Sequence, residues 1–443
     1  MKKSTKIELL YEHYKTHKSI SIDSRNILPG AIFFAIRGKR FNANIFAKQA
    51  IENGASYAVI DDENCIFKDD KCIFVKDALL TLQQLAAYHR LELKMPIIAI
   101  TGSNGKTTTK ELVKAILSCK YKTASTISNY NTRITLPITV LNIEKDAQIA
   151  VLEMGASELR NIETLCDIAM PTHGLVTNMH AAHIEGFGSF SNVIKGKSEL
   201  YSYLDKHNGT VFVNSTDSTL LNASKFCKNI IYYPQCGVNY YCKFLKEDPF
   251  VTYASKSGQE VTTQLIGKHQ FINISAALCI GNYFQVDEAM ANDAIKNFKP
   301  GPNRSELIHK GSCTILLDAY NANLESMKCA IHALAMMPHP RKMFILGEMK
   351  ELGELSKEAH IELVRFALQY NNASVLLCGK DMMMAAKEII GELSYEYPLR
   401  LVFPSKDLLE NYLNVNCFNQ TAILLKGSRS MQMDSLVECI IVK

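Results

Sequence analysis

The chain has 443 residues, 47% of them hydrophobic and 21% charged, with a formal net charge of +5. Such a length exceeds what one hydrophobic core usually supports, so two or three domains are expected. No apolar run approaches the roughly 20 residues of a membrane span, and no basic run alternates with aromatic residues, so neither membrane insertion nor nucleic-acid binding is expected.

Cysteine usage and the start of the chain favour a cytoplasmic protein. The 13 cysteines form no CxxC pair, which argues for reduced thiols rather than a disulfide framework or a zinc site. The basic start Met1–Lys6 leads into charged residues, where a signal peptide would need an apolar core. Anionic small molecules are the expected partners, because the net charge is modestly positive.

The first 93 residues are predicted to form a small α/β domain. Apolar segments at Ala31–Ile36 and Tyr57–Ile60 predict short strands, and the spacing of apolar residues predicts a helix from about Leu79 to Leu93. Pro96 marks the boundary with the next unit.

The next segment, from Ile97 to Thr108, is the most informative part of the sequence. An apolar strand runs into the turn TGSNGKTT, which a helix is expected to follow. Gly102 and Gly105 allow backbone N–H groups to point inward, Lys106 adds a positive charge, and the Thr107 hydroxyl is suited to Mg²⁺. The spacing predicts a shortened P-loop for a nucleoside triphosphate, and the alternative is an ordinary strand-to-helix turn.

Residues 94–298 are predicted to form the nucleotide domain around this turn. Buried-type strands at Ile149–Leu152 and Leu175–Thr177 predict a parallel sheet. Shorter, more polar strands between Gly209 and Gly267 predict an antiparallel edge to that sheet, and Gly267–Phe284 predicts a helix with its entry loop.

Residues 299–443 are predicted to form a second, doubly wound α/β domain. The segment Lys299–Pro302 punctuates its start. Helix-length segments separate five apolar strands, which are Thr314–Asp318, Met343–Gly347, Ser374–Gly379, Leu399–Phe403 and Ala422–Gly427.

Several polar side chains follow predicted strands in the nucleotide domain. Glu153 stands at a strand end, where a metal carboxylate and a loop cap are equally good interpretations. His180 and His183 lie in the loop after the next strand, and a structural role is favoured for His180. Lys197 lies on a predicted helix and would ordinarily be a solvated surface charge.

Further polar groups flank the boundary between the two larger domains. His269 and Asn273 are four residues apart on one helix face and suit an adenine or a ribose, although polar residues at a helix start are the simpler interpretation. Arg304 suits bidentate phosphate contact, and Asp318 begins a polar cluster at a strand end.

Together these strings resemble the Mur ligase family of cell-wall peptide synthetases, and the match covers nearly the whole chain. Three of the strings, namely DAYNANLESM, LGEMKELGELS and LLKGSRSMQM, look most like the members that add D-alanyl-D-alanine. The strings that carry the resemblance begin at Thr101 (TGSNGKTT), Glu153 (EMGAS), Thr177 (TNMHAAHIEGFGS), Lys197 (KSEL), Gly267 (GKHQFINISAA), Pro302 (PNRSE), Asp318 (DAYNANLESM), Leu346 (LGEMKELGELS) and Leu424 (LLKGSRSMQM).

The resemblance implies three domains: a UDP-binding domain, a P-loop ATPase-like domain and a Rossmann-like domain that contacts the acceptor. It implies catalytic roles for Lys106, for His183 and for Lys197, which occupies the position of a carbamylated lysine. The implied ATP contacts are Gly102, Ser103, Asn104, Gly105, Lys106, Thr107, Thr108, His269, Asn273, Arg304 and Asp318. The implied Mg²⁺ ligands are Thr107, Glu153, His183 and Lys197. The implied substrate contacts are Ser24, Arg25, Asn129, Asn131, Tyr320, Asn321 and Asn323.

The implied reaction moves the γ-phosphoryl group of ATP onto the terminal carboxylate of UDP-N-acetylmuramoyl-tripeptide. The amine of D-alanyl-D-alanine then attacks the acyl phosphate. A monomer is expected. The alternatives are a Mur-type or folylpolyglutamate-type ligase with another acceptor, and a nucleotide-binding protein without ligase activity.

Some positions depart from the family pattern, and they put details of sugar-nucleotide and peptide contact in doubt. Asn42-Ala43-Asn44 replaces Asp-Gly-His, Thr132 replaces the second paired asparagine, and Thr135 replaces a loop glycine. Arg160-Asn161 replaces Gly-Glu. The positions implied in phosphate and metal chemistry are unaffected.

Overall fold

The structure is a computed structural model that describes residues 6–38, 41–389 and 400–442. Most of the basic start of the chain and Leu399, the first residue of one predicted strand, lie outside the described residues.

The first unit is a small parallel sheet with three helices. The sheet order is β1-β2-β5-β6, and β3 pairs with β4 in a separate antiparallel ribbon. Both predicted strands and the predicted helix are confirmed. The strands are β1 (Ile20–Ser21), β2 (Ile32–Phe34), β3 (Arg37–Gly38), β4 (Phe41–Asn42), β5 (Tyr57–Ile60) and β6 (Cys72–Phe74), and the helices are α1 (Lys6–His17), α2 (Ala47–Glu52) and α3 (Ala78–Glu92).

The central unit is built on a fully parallel sheet of six strands in the order β12-β11-β10-β7-β9-β8. The strands are β7 (Ile97–Thr101), β8 (Thr123–Ser125), β9 (Ile149–Glu153), β10 (His173–Val176), β11 (Thr210–Asn214) and β12 (Ile230–Tyr233). The helices are α4 (Lys106–Leu117), α5 (Leu136–Leu141), α6 (Asn161–Ala169), α7 (Ile184–Phe187), α8 (Phe190–Lys206), α9 (Ser218–Ser224), α10 (Gln270–Tyr283) and α11 (Glu288–Asn297).

The prediction of an antiparallel edge on this sheet is wrong. β11 and β12 extend the sheet in parallel, and the next three strands form their own antiparallel sheet: β13 (Lys243–Glu247), β14 (Phe250–Ala254) and β15 (Glu260–Ile266). Buried and exposed residues alternate along β15, because one face of the strand packs on the core and the other faces solvent. This alternation is typical of an antiparallel sheet, but it does not show which strands lie beside β15.

The third unit confirms the predicted α/β alternation. Its sheet order is β16-β17-β21-β18-β19-β20, and β16 is antiparallel to an otherwise parallel sheet. The strands are β16 (Glu306–Lys310), β17 (Cys313–Leu317), β18 (Arg341–Gly347), β19 (Ala373–Cys378), β20 (Arg400–Phe403) and β21 (Thr421–Lys426), and the helices are α12 (Leu324–Ala335), α13 (Ser356–Leu368), α14 (Lys380–Glu388), α15 (Lys406–Val415) and α16 (Leu436–Cys439).

Alternate residues of the central strands pack on opposite faces of the sheet. Ile97 and Ala99 join a core that includes α3, α5 and α6, whereas Ile98 and Ile100 join a core that includes α4 and α10. Because both faces are covered, polar groups collect at the sheet edges. The carboxyl edge of β7, β9 and β10 carries the predicted P-loop, Glu153 and the loop with His180 and His183.

Candidate active site

The loop between β7 and α4 has the tight backbone that the sequence predicts. Gly102 has a φ of +145° and Gly105, which caps α4, has a φ of +77°. A Cβ on Gly102 would lie 1.9 Å from Thr177 Oγ1, so glycine is required there for space as well as for conformation. Thr107 and Thr108 lie in the first turn of α4, whose N–H groups favour an anion.

The segment after β10 holds this loop in place. Thr177 Oγ1 donates to the carbonyl of Asn104 at 2.6 Å, and the side chain of Asn178 accepts from the Asn104 N–H at 2.9 Å. Ser103 Oγ donates to the carbonyl of His180 at 2.7 Å, so His180 supports the loop through its backbone. The sequence reasoning missed Thr177 and Asn178, although their position directly after a buried strand was a usable signal.

Two lysines converge on the carbonyl of Gly102. Lys106 Nζ lies 2.8 Å from that oxygen and Lys197 Nζ lies 3.1 Å from it. Lys197 has no exposed surface, and burial followed by the charge of Lys106 holds its pKa well below the usual range. Burial also lowers the pKa of Lys106. The two amino groups thus share one neutral acceptor beside the N-terminus of α4, which itself favours an anion.

A buried carboxylate faces the start of α4 on the neighbouring strand. Glu153, the last residue of β9, is 3% exposed and accepts a 2.7 Å hydrogen bond from Thr107 Oγ1. Asn131 Nδ2 donates to its other oxygen at 2.7 Å. Asn131 was predicted to contact substrate, whereas here it contacts the carboxylate. Oxygen atoms from Thr107 and Glu153 are ligands that Mg²⁺ accepts, so these residues fit such a cation.

His183, another predicted Mg²⁺ ligand, has a different neighbour. Its Nδ1 lies 2.5 Å from Glu351 Oε2, in the loop that follows β18. In the part of the chain that the structure describes, no three His, Cys, Asp or Glu side chains are grouped as a metal site.

The predicted adenine contacts on α10 pack beneath the P-loop. Asn273 Oδ1 accepts from Thr109 Oγ1 at 3.1 Å and lies 2.7 Å from the position of a Cβ on Gly105. Asn273 also donates to Gln270 at 2.8 Å. His269 immediately precedes α10 and remains exposed.

The third unit contributes a second cluster of charged and aromatic groups. The guanidinium of Arg304 stacks 3.7 Å from the ring centroid of Tyr320, with Arg429 at 5.4 Å from the same ring. Asp318 Oδ2 forms a 2.6 Å ion pair with the buried Lys426, the last residue of β21. The sequence reasoning did not single out Lys426, although a lysine that ends an apolar strand is a visible signal.

A reciprocal amide pair joins the P-loop to this third unit. Asn323 Nδ2 donates to Asn104 Oδ1 at 2.6 Å, and Asn104 Nδ2 donates back at 3.2 Å. Asn323 also caps α12 with Ser326, which fixes its position. Asn321 is exposed and its side chain accepts from the N–H of Ala322.

The predicted substrate residues of the first unit lie apart from this centre. Ser24 is buried, and Arg25 is exposed in a 2.7 Å ion pair with Asp23. Asn129, a predicted substrate contact of the central unit, is also exposed. Among the described residues, no hydrogen bond or ion pair joins these three to the P-loop.

The residues that depart from the family pattern in the first unit form a network of their own. Asn44 Nδ2 donates to Asp61 at 2.8 Å and to Asn42 at 2.7 Å, and Asn42 donates to Asp62 at 2.9 Å. Arg37 contacts both carboxylates, at 2.9 Å and 3.2 Å. The two asparagines thus have a local structural role.

The other departures lie in the central unit. Thr132 and Thr135 are hydrogen-bonded to each other at 3.0 Å. Arg160 has a φ of +66°, a conformation in which glycine would be unstrained, and Asn161 Oδ1 accepts from the N–H of Ser157 at 3.2 Å.

Three segments of the chain match models of Mur ligase domains, one in each of the three units. Residues 16–90 match the Mur ligase family catalytic domain, 100–281 match the Mur ligase middle domain, and 303–429 match the Mur ligase glutamate ligase domain. The chain therefore belongs to the Mur ligase family.

Particular members of the family resemble the chain over its full length. It is 31% identical to the UDP-N-acetylmuramoyl-tripeptide–D-alanyl-D-alanine ligase of Bacillus subtilis, over all of this chain and 96% of that one. The structure of MurF from Acinetobacter baumannii superimposes with a TM-score of 0.84 at 26% identity, covering 95% of this chain and 93% of that one. The structure of MurF from Thermotoga maritima in complex with ADP superimposes with a TM-score of 0.83 at 26% identity, covering 96% of this chain and 97% of that one.

These matches confirm the predicted family and three-unit fold. Of the helices in the described residues, none combines the length and apolar character that a bilayer crossing requires.

Proposed function

We propose that the chain is an ATP-dependent ligase that joins D-alanyl-D-alanine to UDP-N-acetylmuramoyl-tripeptide through an acyl phosphate, in the synthesis of peptidoglycan precursors. The observation that carries the proposal is the convergence of Lys106 and Lys197 on Gly102, opposite the Thr107–Glu153 pair. Full-length similarity to ligases of this specificity supports the choice of substrates.

The main chemical task is to bring an anionic phosphate and an anionic carboxylate together. In this chain, the N-terminus of α4 and Lys106 hold the phosphates of ATP, because both supply positive charge in a partly enclosed loop. Arg304 lies close enough to Lys106 to lower its pKa and therefore adds to the same positive field. Catalysis consists mainly of alignment and charge neutralisation.

Mg²⁺ fits the donor set of this centre and would be held by Thr107 and Glu153, with His183 and a modified Lys197 as further ligands. When bound, the cation neutralises phosphate and carboxylate charge. Asn131 orients Glu153 by donating to the oxygen that Thr107 leaves free.

Lys197 has the environment that carbamylation requires. The ammonium first loses one proton, and the neutral amine then attacks CO₂ to form a C–N bond and loses a second proton, so that a cation becomes an anion. Because burial depresses the pKa of Lys197, the neutral amine is populated at a lower pH than for a surface lysine. The resulting anion would suit a cation, whereas an ammonium would repel it.

Asp318 and Lys426, at the ends of β17 and β21, complete the proposed nucleotide site together with Arg304 and Tyr320. Tyr320, Asn321 and Asn323 follow the same strand β17 and are the proposed acceptor contacts. The proposed working unit is a monomer. ATP and UDP-linked precursors are cytoplasmic metabolites, which places the proposed reaction in the cytoplasm.

The test is phosphate release measured with each substrate omitted in turn. We expect release to require ATP, UDP-N-acetylmuramoyl-tripeptide and D-alanyl-D-alanine together. Release that ignores the dipeptide but responds to a single amino acid would favour a ligase with another acceptor. No release with any tripeptide or acceptor would favour a nucleotide-binding protein without ligase activity. A panel of UDP-N-acetylmuramoyl-tripeptides ending in diaminopimelate or lysine shows which third residue the enzyme accepts.

A further inference from the structure

One contact between the central and third units is not explained by the reaction described above. His183 lies in the loop before α7, and Glu351 lies in the loop between β18 and α13. Their side chains meet with 2.5 Å between Nδ1 and Oε2. The other imidazole nitrogen, Nε2, has no hydrogen-bond partner among the described residues.

The backbone at both ends of this contact is in an unfavourable conformation. His183 has a φ of +56° and Glu351 has a φ of +64°, in a region that costs a residue with a Cβ about 1–2 kcal/mol. The Glu351 carbonyl accepts the N–H of Glu185 at 3.2 Å, which fixes the two loops against each other. Strained residues are retained where the surrounding structure holds them, and they are concentrated at functional sites.

The contact determines which nitrogen of His183 carries a proton. An ionised carboxylate only accepts hydrogen bonds, so in the neutral imidazole the proton resides on Nδ1 and Nε2 carries the lone pair that can bind a metal. Histidines that bind metals commonly donate the second ring N–H to a carboxylate, which orients the ring and makes the ligating nitrogen more basic.

We propose that Glu351 is a positioning residue for the divalent-cation site, which it supports by orienting His183 from the third unit. Metal affinity is thereby linked to the docking of the third unit on the central one, because the orienting carboxylate arrives only with that docking. The inference rests on the metal role of His183 within the proposed function.

The test measures Mn²⁺ affinity in the presence of ADP by electron paramagnetic resonance, using the full chain. Glu351→Ala should raise the Mn²⁺ dissociation constant about 10-fold or more, as loss of an orienting carboxylate typically does. Glu351→Gln should raise the Mn²⁺ dissociation constant less than Glu351→Ala does, because the amide oxygen of Gln still accepts the Nδ1–H. Glu354→Ala removes the same charge from the same exposed loop and should match wild type.

His183→Ala should weaken Mn²⁺ binding at least as much as Glu351→Ala, and the double variant should weaken it no further. The Mg²⁺ concentration for half-maximal ADP formation should rise in Glu351→Ala, while the rate at saturating Mg²⁺ recovers. A merely structural contact would leave both metal constants unchanged.

Two results would overturn the inference. If His183→Ala weakens Mn²⁺ binding and Glu351→Ala does not, Glu351 serves only domain docking. If neither variant changes the Mn²⁺ affinity, His183 is not a metal ligand either. Dipeptide-dependent phosphate release by the wild-type chain tests the proposed function separately, so the two failures are distinguishable. Thermal unfolding by circular dichroism confirms that each variant is folded.

Discussion

The two edges of the central sheet place buried ionisable groups in different surroundings. At the carboxyl edge, Lys106, Lys197 and Glu153 lie in or beside the P-loop with few partners. At the amino edge, the imidazole of His173 packs near the rings of Tyr283 and Phe284, with centroids 5.3 and 5.0 Å away, and burial lowers its pKa to about 4. Burial disfavours the charged form of a base at both edges, and the difference is that only the carboxyl edge places its buried bases beside a carboxylate and an anion-binding turn.

Cavity size does not locate the function. A cavity of about 770 Å³ opens near the amino edge, lined by His173, Tyr203 and acidic side chains that include Glu199. None of the predicted nucleotide contacts lines it. The proposed triphosphate site is instead recognised by charge and backbone geometry.

The largest expected effect is the loss of the positive charge at the carboxyl edge. Lys106→Ala should lower ADP formation about 1,000-fold or more, because a phosphate-neutralising group is removed at the transferring phosphoryl. Lys114→Ala, further along α4, should retain the wild-type rate. Full ADP formation by Lys106→Ala would show that this edge does not bind the triphosphate.

The next prediction concerns carbamylation, which would replace the positive charge of Lys197 with a negative one. In buffer with ¹³C-bicarbonate, we expect a carbamate carbon signal in wild type, its absence in Lys197→Ala, and an activity about 100-fold lower in that variant. Lys195→Ala, at an exposed lysine two residues earlier, should keep both signal and activity. A carbamate signal that persists in Lys197→Ala would assign the modification to another lysine.

Much of the carboxyl edge could be predicted from the sequence because its elements are local. Buried parallel strands appear as apolar runs, and the turn from Gly102 to Thr107 carries its chemistry in consecutive residues. The resemblance indicated Glu153 and His183, and the residue pattern alone left their roles open.

Contacts made by packing between units could not be predicted in this way. Glu351 meets His183 across 168 positions of sequence, and Asn323 meets Asn104 across 219. No local pattern encodes such pairs, since they depend on how separate sheets dock. The separate sheet of β13, β14 and β15 was missed for the same reason: an amphipathic strand pattern does not specify which sheet the strand joins.

The lowered pKa of His173 at the amino edge predicts that the fold is less stable in acid. The unfolded chain binds a proton on His173 near pH 6.5, whereas the folded chain binds it near pH 4, so the folded state loses stability as pH falls through that window. The loss from this residue should be about 1–3 kcal/mol. His173→Phe and His173→Gln should both flatten the pH dependence of the free energy of unfolding between pH 6.5 and 4. An unchanged slope in both variants would mean that the imidazole binds its proton equally well in the folded and unfolded chains.

The smallest expected effect concerns backbone strain at the start of α6. Arg160 adopts a φ of +66° before α6, where its N–H donates to Glu199 at 2.6 Å and its exposed guanidinium pairs with Glu163. Arg160→Gly should stabilise the fold by about 0.5–1 kcal/mol, because relief of the left-handed conformation exceeds the entropy cost of glycine. Arg160→Ala removes the same ion pair but keeps the Cβ, so it should bring no gain in a urea unfolding experiment. Equal stabilities of the glycine and alanine variants would show that the strain at this position is relieved by the contact with Glu199, and that this departure from the family pattern is energetically neutral.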